Sequence, residues 1–259
     1  MPRPRETRQG NAVPEADVAA MFDAIAPVYD RMNTLMTAGG DGRWRRAAAA
    51  AAGVRPGGAV VDVACGTGKL SATLAERVGP FGRVVGVDLA PAMVAAAGGR
   101  YADLVQLSFL VGNALALPFA SGEFDAATIA FGLRNLADFG AGFRELARVV
   151  RPGGRVVCLE LSMPPQRGWG RLFRSSFGRL APMVASLFGR GREYRYLPNS
   201  LDGFPDAVTL AETMRRAGLA EVSFRRLALG AVALHVGWVP VEVPADVLAV
   251  DGGSGPSSD

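Results

Sequence analysis

The chain has 259 residues, 49% of them hydrophobic and 20% charged, with a formal net charge of +4 at pH 7. This length and composition suit one α/β domain with additions and allow a large core. Two cysteines are too few for a disulfide framework, no apolar run reaches the ~18 residues needed to cross a bilayer, and no apolar segment follows the N-terminal charges. We therefore expect a cytoplasmic protein that is soluble or peripheral to the inner face of a membrane. The modest positive charge suits nucleic acid, anionic lipid or an acidic ligand, and it does not choose among them.

The first part of the chain changes from a helical pattern to alternating strands and helices. Residues 1–13 are polar and expected to be flexible, whereas residues 14–53 carry apolar side chains at helical spacing. Strands are then predicted at 59–63, 83–88, 107–112, 124–131 and 154–161, and helices at 70–78, 91–98 and 139–150. Strands that alternate with helices form βαβ units, so we predict a mostly parallel sheet whose short apolar strands are buried on both faces.

The second part of the chain breaks this alternation. Residues 163–200 are an Arg-rich, aromatic insert whose apolar side chains lie near helical spacing. A helix is predicted at 208–218, and two strands at 221–229 and 231–239 are close enough to pair as a hairpin. The tail 244–259 has linker composition and is expected to be disordered.

A glycine loop follows the first predicted strand, in the sequence VVDVACGTGKL. Gly66 and Gly68 let the backbone approach a ligand closely at the carboxyl end of that strand. Asp88 ends the second strand, where a carboxylate can accept hydrogen bonds from ribose hydroxyls. After the third strand, the side chain of Asn113 and the backbone amide of Ala114 are placed to read an adenine edge. Together these features favour a binding site for a nucleoside-containing ligand over ordinary βα turns that bind nothing.

The details of the loop separate dinucleotide enzymes from S-adenosylmethionine enzymes, which share a glycine loop and a distant acid. Ser71 occupies the position of the third glycine in GxGxxG, and Leu70 after Lys69 breaks the P-loop pattern. No pyrophosphate cradle is therefore present in the motif. Asp62, at the end of the first strand, also suits a cationic or amino-bearing ligand better than phosphates.

With these motifs the chain resembles the class I S-adenosylmethionine-dependent methyltransferases, and more narrowly the ubiquinone/menaquinone biosynthesis C-methyltransferase family. The segments that carry the resemblance run in the expected order from about residue 18 to 238. They are FDAIAPVYDRMN, VDVACGTGKL, GNALALPF, FDAATIAFGLRN, RVVRPGGRV, YRYLPNSL and GAVALHVGW. The YDxMN and FGLRN motifs are specific to this family, whereas the glycine loop alone is not.

The resemblance implies one Rossmann-like α/β methyltransferase domain over residues 14–243. Its mostly parallel seven-stranded sheet has an antiparallel last strand and helices on both faces. Residues 14–53 then form N-terminal helices, and residues 163–200 form a helical insert between the fifth and sixth strands.

The family uses S-adenosylmethionine to methylate a ring carbon of a prenylated quinol precursor, and the reaction implied here is that of demethylmenaquinol to menaquinol. Donor contacts are implied for Thr67, Asp88, Asn113 and Ala114. With the residues of the glycine loop and the neighbouring strand ends, the candidates for donor binding are Asp62, Gly66, Thr67, Gly68, Asp88, Asn113, Ala114 and Ala130.

On the acceptor side the resemblance places Tyr29, Arg134 and Asn135. A hydroquinone carbon becomes nucleophilic when a neighbouring hydroxyl loses its proton. A fixed guanidinium stabilises the developing phenolate, and an amide and a phenol orient the ring oxygens. Because arginine is a poor proton acceptor, we assign Arg134 electrostatic stabilisation, or base catalysis relayed through a water. The alternative is a loop cap with Arg134 on the surface.

Two residues depart from the family pattern. Lys69 stands where the family usually has an acid after GTG, and Ala130 stands where a serine often precedes FGLRN, which removes one donor contact. The segments YRYLPNSL and FPDAVTL also vary from the family. These departures leave open methylation of another small aromatic or lipid acceptor.

Two further functions are less favoured by the sequence. A nicotinamide reductase conflicts with Ser71. A nucleic-acid-binding methyltransferase or module, suggested by the positive charge, lacks a visible RNA-binding motif and an NPPY-like strand end. His235 lies on the last predicted strand, where a core position is expected and a catalytic role is the alternative. No cluster of side chains has metal-ligand spacing, so no metal is expected.

The insert has two interpretations. It forms an amphipathic helix packed on the sheet, or a lid over a prenyl channel that also touches an anionic membrane through residues 163–192. The expected partners are the prenylated quinol, that membrane surface and a second copy of the chain in a homodimer. Nucleic acid is not expected as a partner.

Overall fold

The computed structural model describes residues 9–37, 39–162, 164 and 203–241. These residues form six α-helices and seven β-strands. The helices are α1 (Glu15–Met36), α2 (Asp41–Ala51), α3 (Lys69–Val78), α4 (Pro91–Arg100), α5 (Phe139–Val149) and α6 (Ala207–Arg216). The strands are β1 (Ala59–Val63), β2 (Arg83–Asp88), β3 (Leu107–Val111), β4 (Phe124–Ala130), β5 (Val150–Leu161), β6 (Ala220–Leu227) and β7 (Val232–Trp238).

All seven strands belong to one sheet, in the order β3-β2-β1-β4-β5-β7-β6. The first five strands in this order pair in parallel, and β7 runs antiparallel to both β5 and β6. The predicted parallel sheet, its antiparallel last strand and the closing hairpin are therefore confirmed. The chain moves outward from β1 to β3 and then returns to the other side of β1 at β4. Open α/β sheets bind ligands at such a reversal, outside the carboxyl ends of the strands.

Alternate residues of the strands face two separate layers of the core. Val61 of β1 packs in the layer that contains Phe143 of α5 and Leu210 of α6. Val60 packs in the other layer, with Ala48 of α2 and Leu74 of α3. Because successive side chains point to opposite faces of a strand, burial on both faces requires an unbroken apolar run. The predicted covering of both faces by helices is confirmed.

In two places proline or glycine residues lie inside a helix or a strand, where they would be expected to end it. α1 is one continuous helix that contains Pro27, although a proline removes a hydrogen bond from a helix interior. β5 begins at Val150, before the predicted start at 154. Val150 pairs with Phe124, and the register then shifts before Arg155 pairs with Ala126. The Pro-Gly-Gly run is therefore an irregularity within an extended strand and not a turn before it.

Several predicted segments lie outside the described residues. They are residues 1–8 of the N-terminus, the insert at 163–200 apart from Pro164, and the tail 244–259. Within the described ranges, no helix combines the length and the apolar composition that a membrane crossing requires.

Candidate active site

A cleft of about 670 Å³, partly open to solvent, lies at the carboxyl ends of the parallel strands. Loops that follow β1, β2, β3 and β4 line it, and α1 supplies one wall. The predicted site residues that line the cleft are Tyr29, Gly66, Asp88, Asn113, Ala114 and Asn135. The predicted site residues that do not line it are Asp62, Thr67, Gly68, Ala130 and Arg134.

The loop after β1 is strongly bent and is held by the end of β2. Gly66 and Gly68 have positive φ angles of 56° and 79°, which glycine adopts without steric cost, and Ala64 has a φ of 51°, which is uncommon for a residue other than glycine. Asp88 Oδ2 accepts a hydrogen bond from the Gly66 N–H at 2.7 Å, and Oδ1 accepts one from the Ala90 N–H at 3.0 Å. Burial raises the pKa of Asp88, although these backbone hydrogen bonds favour its ionised form. The carboxylate is thus fixed at the cleft and has further lone pairs for ligand hydroxyls.

Asn113 connects the end of β3 to α1. Its Oδ1 accepts a hydrogen bond from the Leu115 N–H at 2.8 Å, and its Nδ2 donates to Glu15 Oε2 at 2.8 Å. The preceding Gly112 N–H donates to the carbonyl of Asp88 at 2.9 Å. These contacts join the loops after β2 and β3, so that Asp88 and Asn113 lie on the same cleft.

Thr67 and Lys69 of the glycine loop contact a carboxylate of α1. Thr67 Oγ1 donates to Asp30 Oδ1 at 2.7 Å, and Lys69 Nζ lies 3.5 Å from Asp30 Oδ1 and 3.5 Å from Asp41 Oδ2. Arg100 also pairs with Asp30. Burial opposes ionisation of Asp30, but the hydrogen bonds from Arg100 and Thr67 and the charge of Lys69 outweigh it and lower its pKa. The positive charge of Lys69, which departs from the family pattern, is therefore paired with two carboxylates.

The wall formed by α1 contains residues that sequence reasoning missed. Tyr29 was a candidate, but Glu15 and Phe22 also line the cleft. The rings of Phe22 and Tyr29 meet edge to face, with centroids 6.0 Å apart. Positions 15, 22 and 29 repeat every two turns and so lie on one helix face. That spacing was the available signal, but it is equally typical of an ordinary core-facing helix.

Three carboxylates on α1 fasten this helix to the elements around the cleft. Glu15 accepts from Asn113, and Asp30 accepts from Thr67. Between them, Asp23 Oδ1 accepts a hydrogen bond from the N–H of a residue in the first turn of α4 at 2.8 Å. The wall and the loops that it faces therefore form one hydrogen-bonded unit.

Asp62 is buried between β1, α3 and β4 and is 1% exposed. Its two oxygens accept hydrogen bonds from Ser71 Oγ at 2.6 Å and from Thr128 Oγ1 at 2.7 Å. Burial raises the pKa of Asp62 to about 6, against the effect of both hydrogen bonds. In this position the carboxylate braces three elements below the glycine loop.

Replacing Asp62 by asparagine is expected to stabilise the fold increasingly as the pH rises. Because the pKa in the folded state is about 6 and the ordinary value is 3.8, Asp62 favours the native state below about pH 4 and loses that contribution as the pH passes 6. The advantage of Asp62→Asn over the wild type should grow by up to about 3 kcal/mol between about pH 4 and pH 8. Urea unfolding at the two pH values measures it. A difference in unfolding free energy between the two proteins that does not depend on pH would contradict this account. A large loss of S-adenosylmethionine binding in Asp62→Asn would instead support a direct donor contact of Asp62.

Arg134 lies in a 3-10 turn that follows β4. Its guanidinium is buried, with Nη1 donating to Glu160 Oε1 at 2.7 Å and to the Phe131 carbonyl at 2.5 Å. The alternative of a surface arginine is therefore wrong. Among the residues that the structure describes, buried Nε of Arg134 has no hydrogen-bond partner, and neither has Oγ of Ser162 just after β5. Two adjacent strands are thus followed by buried polar atoms that no described residue satisfies.

Other reactive side chains lie in the core and do not line the cleft. His235 is buried in β7 with Nε2 2.9 Å from the carbonyl of Ala207, and burial lowers its pKa. Cys65 is also buried, which raises the pKa of its thiol. In the part of the chain that the structure describes, no group of three His, Cys, Asp or Glu side chains is placed to hold a metal ion.

Known proteins resemble this chain over most of its length. The model of the ubiE/COQ5 methyltransferase family matches residues 10–239. Demethylmenaquinone methyltransferase of Thermus thermophilus is 44% identical, over 84% of this chain and 99% of that protein. Demethylmenaquinone methyltransferase of Mycobacterium marinum is 42% identical, over 88% of this chain and 95% of that protein.

Solved structures with lower identity share the fold. The [4+2]-cyclase SpnF has a TM-score of 0.67 and 18% identity, over 90% of this chain and all of its own (100%). A SAM-dependent methyltransferase from Aquifex aeolicus has a TM-score of 0.53 and 18% identity, over 71% of this chain and 84% of its own. These similarities agree with the Rossmann-like sheet. The family match over residues 10–239 and the relatives at 44% and 42% identity lead to one conclusion: the chain belongs to the ubiE/COQ5 methyltransferase family.

Proposed function

We propose that this methyltransferase transfers the methyl group of S-adenosylmethionine to a ring carbon of demethylmenaquinol, giving menaquinol. One observation carries the proposal. A single cleft contains Asp88 and Asn113 of the donor motifs together with Tyr29 and Asn135 of the family motifs YDxMN and FGLRN. The relatives that match over nearly their full length carry the name demethylmenaquinone methyltransferase. That name supports a menaquinone precursor over a ubiquinone precursor.

The residues along the donor side of the cleft fit S-adenosylmethionine, which supplies an electrophilic methyl group when bound. Asp88 accepts hydrogen bonds from the ribose hydroxyls, because backbone N–H groups already hold its carboxylate at the cleft. Asn113 and the backbone amide of Ala114 read the adenine edge. Met93 adds an apolar surface to the same cleft, against which the base packs.

The acceptor side is formed by the turn after β4 and by α1. Tyr29 and Asn135 line the cleft and orient the oxygens of the quinol ring. The guanidinium of Arg134, next to Asn135, stabilises the negative charge that develops on a ring oxygen. A guanidinium that is fixed before the reaction stabilises this charge without reorganisation, which is the source of its catalytic effect.

The prenyl tail of such a quinol is anchored in a membrane. We place the contact with an anionic membrane surface in residues 163–192, almost all of them outside the described residues, where arginines accompany aromatic side chains. The protein then acts in the cytoplasm and at the inner face of the membrane, as a single chain or as a homodimer.

Transfer of a labelled methyl group from S-adenosylmethionine to a short-chain demethylmenaquinol tests the proposal. A matching ubiquinone precursor serves as the comparison substrate. We expect label in the demethylmenaquinol and much less in the comparison substrate. Calorimetric binding of the donor without methylation of either quinol would show that the donor assignment is right and the acceptor is wrong. Another small aromatic or lipid acceptor would then be the remaining candidate.

A further inference from the structure

Glu160 occupies the point where β4 and β5 end side by side. Leu159, the residue before it, pairs with Ala130 at the end of β4. The carbonyl of Leu159 also accepts a hydrogen bond from the N–H of Phe131 at 2.8 Å. Glu160 is 1% exposed, although a glutamate is almost never fully buried without a partner.

The carboxylate of Glu160 holds both ends of Arg134. Its Oε1 accepts from Arg134 Nη1 at 2.7 Å, and its Oε2 accepts from the backbone N–H of Arg134 at 3.3 Å. Oε1 also accepts from the N–H of Leu161 at 2.8 Å, which fixes the carboxylate to its own strand. In the described part of the chain, every hydrogen bond of the guanidinium runs through Nη1. The orientation of Arg134 therefore depends on Glu160 and on one carbonyl.

We propose that Glu160 is a positioning residue for methyl transfer and that it acts through Arg134. This inference rests on the function proposed above. Glu160 itself does not line the cleft, but Gly132 and Asn135 on either side of Arg134 do. Fixing Arg134 at its backbone and at its guanidinium thus fixes the whole turn that faces the acceptor.

The charge of Glu160 gives the pair a second property. A buried arginine without a partner would present a bare cation beside a neutral quinol, at a large cost in desolvation. Paired with Glu160, Arg134 adds no net charge to the site before the reaction. Nε of Arg134, which has no hydrogen-bond partner within the described ranges, remains a donor for the oxygen on which negative charge develops.

Glu160→Gln tests this role because it keeps the shape of the side chain and removes the charge and one acceptor. We expect kcat to fall about 100-fold, the loss typical of a small misplacement of a catalytic group, with the KM of donor and quinol within about threefold of wild type. Glu145→Gln is the matched control. Glu145 also accepts from an arginine, Arg148, and from a backbone N–H, that of Leu117, but lies outside the cleft. Equal kcat values for the two variants would overturn the inference.

A double variant keeps the test decisive if Glu160→Gln folds poorly. Arg134→Gln/Glu160→Gln leaves no buried charge unpaired, and it should be no slower than Arg134→Gln alone because both substitutions remove the same effect. A double variant at least tenfold slower than Arg134→Gln would show that Glu160 acts independently of Arg134.

Hydrogen exchange of the amides at 131–136 provides a measurement that needs no acceptor. Exchange in this segment should be faster in Glu160→Gln and unchanged in Glu145→Gln, and unchanged exchange in both variants would overturn the inference. If the wild type methylates no quinol, the proposed function fails, and the exchange rates still decide whether Glu160 positions the turn.

Discussion

Methyl transfer to demethylmenaquinol is expected to fall by about 100- to 1,000-fold in Arg134→Gln, the loss measured when one group that stabilises a developing oxyanion is removed. Donor binding should remain close to that of the wild type, because Arg134 lies in the turn after β4, whereas Asp88 and Asn113 lie at the ends of β2 and β3. Glutamine is a better probe than alanine here. Its amide N–H can still hydrogen-bond to Glu160, whereas alanine would leave that buried carboxylate unpaired at a cost of about 3–5 kcal/mol.

Single-turnover transfer of labelled methyl, with donor affinity from calorimetry, separates chemistry from binding. Arg148→Gln is the matched control, since Arg148 also pairs with a glutamate and donates to backbone carbonyls, on α5 away from the cleft. It should transfer methyl at the wild-type rate. If Arg134→Gln retained that rate as well, electrostatic stabilisation by Arg134 would be wrong and the arginine would serve only to hold the turn.

The second large effect is expected in donor binding, where Asp88→Asn should weaken the affinity for S-adenosylmethionine about 100-fold. Two hydrogen bonds from ribose hydroxyls to a carboxylate are each worth about 1.5–3 kcal/mol, and asparagine loses the charge that strengthens them. The amide also turns an N–H toward the N–H of Gly66 or of Ala90, which both donate to the carboxylate. The glycine loop should therefore loosen as the affinity falls.

Calorimetric titration with S-adenosylmethionine measures this loss, and Asp125→Asn controls for the disruption of a backbone contact. Asp125 accepts from the N–H of Ala59 at 2.7 Å and pairs with Arg151 at 2.8 Å, at the opposite ends of β1 and β4 from the cleft. Donor affinity should be unaffected there. An equal loss in both variants would mean that general loosening of the sheet, and not the ribose contact, explains the result.

The sheet and the grouping of the proposed donor residues at one cleft could be predicted from the sequence because they follow from local patterns. Short apolar runs separated by helical segments occur where parallel strands are buried on both faces, and parallel strands end at a common edge. A glycine loop, Asp88 and Asn113 at three such ends must then lie close together. The structure places Gly66, Asp88 and Asn113 on one cleft.

The acceptor side depends on contacts that the order of residues does not reveal. Glu160 reaches Arg134 across 26 positions of the chain because two strands end in register. Asp62 looks like a ligand contact from its place at a strand end. In the structure it is buried, and its carboxylate accepts hydrogen bonds from Ser71 and Thr128 of other elements. An acidic residue at the end of a strand is compatible with a buried structural role as well as with ligand binding. Only the tertiary arrangement shows which of the two roles it has.

The attachment of α1 has a thermodynamic consequence for the donor. Glu15 and Asp30 on this helix bond to Asn113 and Thr67, two residues assigned to the donor. Docking of the helix and occupancy of the cleft are then coupled equilibria, and coupling between two equilibria is reciprocal. The detached helix lowers donor affinity by the same factor by which the bound donor favours docking. A change along α1 that favours detachment therefore lowers donor affinity by at most this factor. The affinity for S-adenosylmethionine therefore depends in part on how firmly α1, at the start of the domain, is docked.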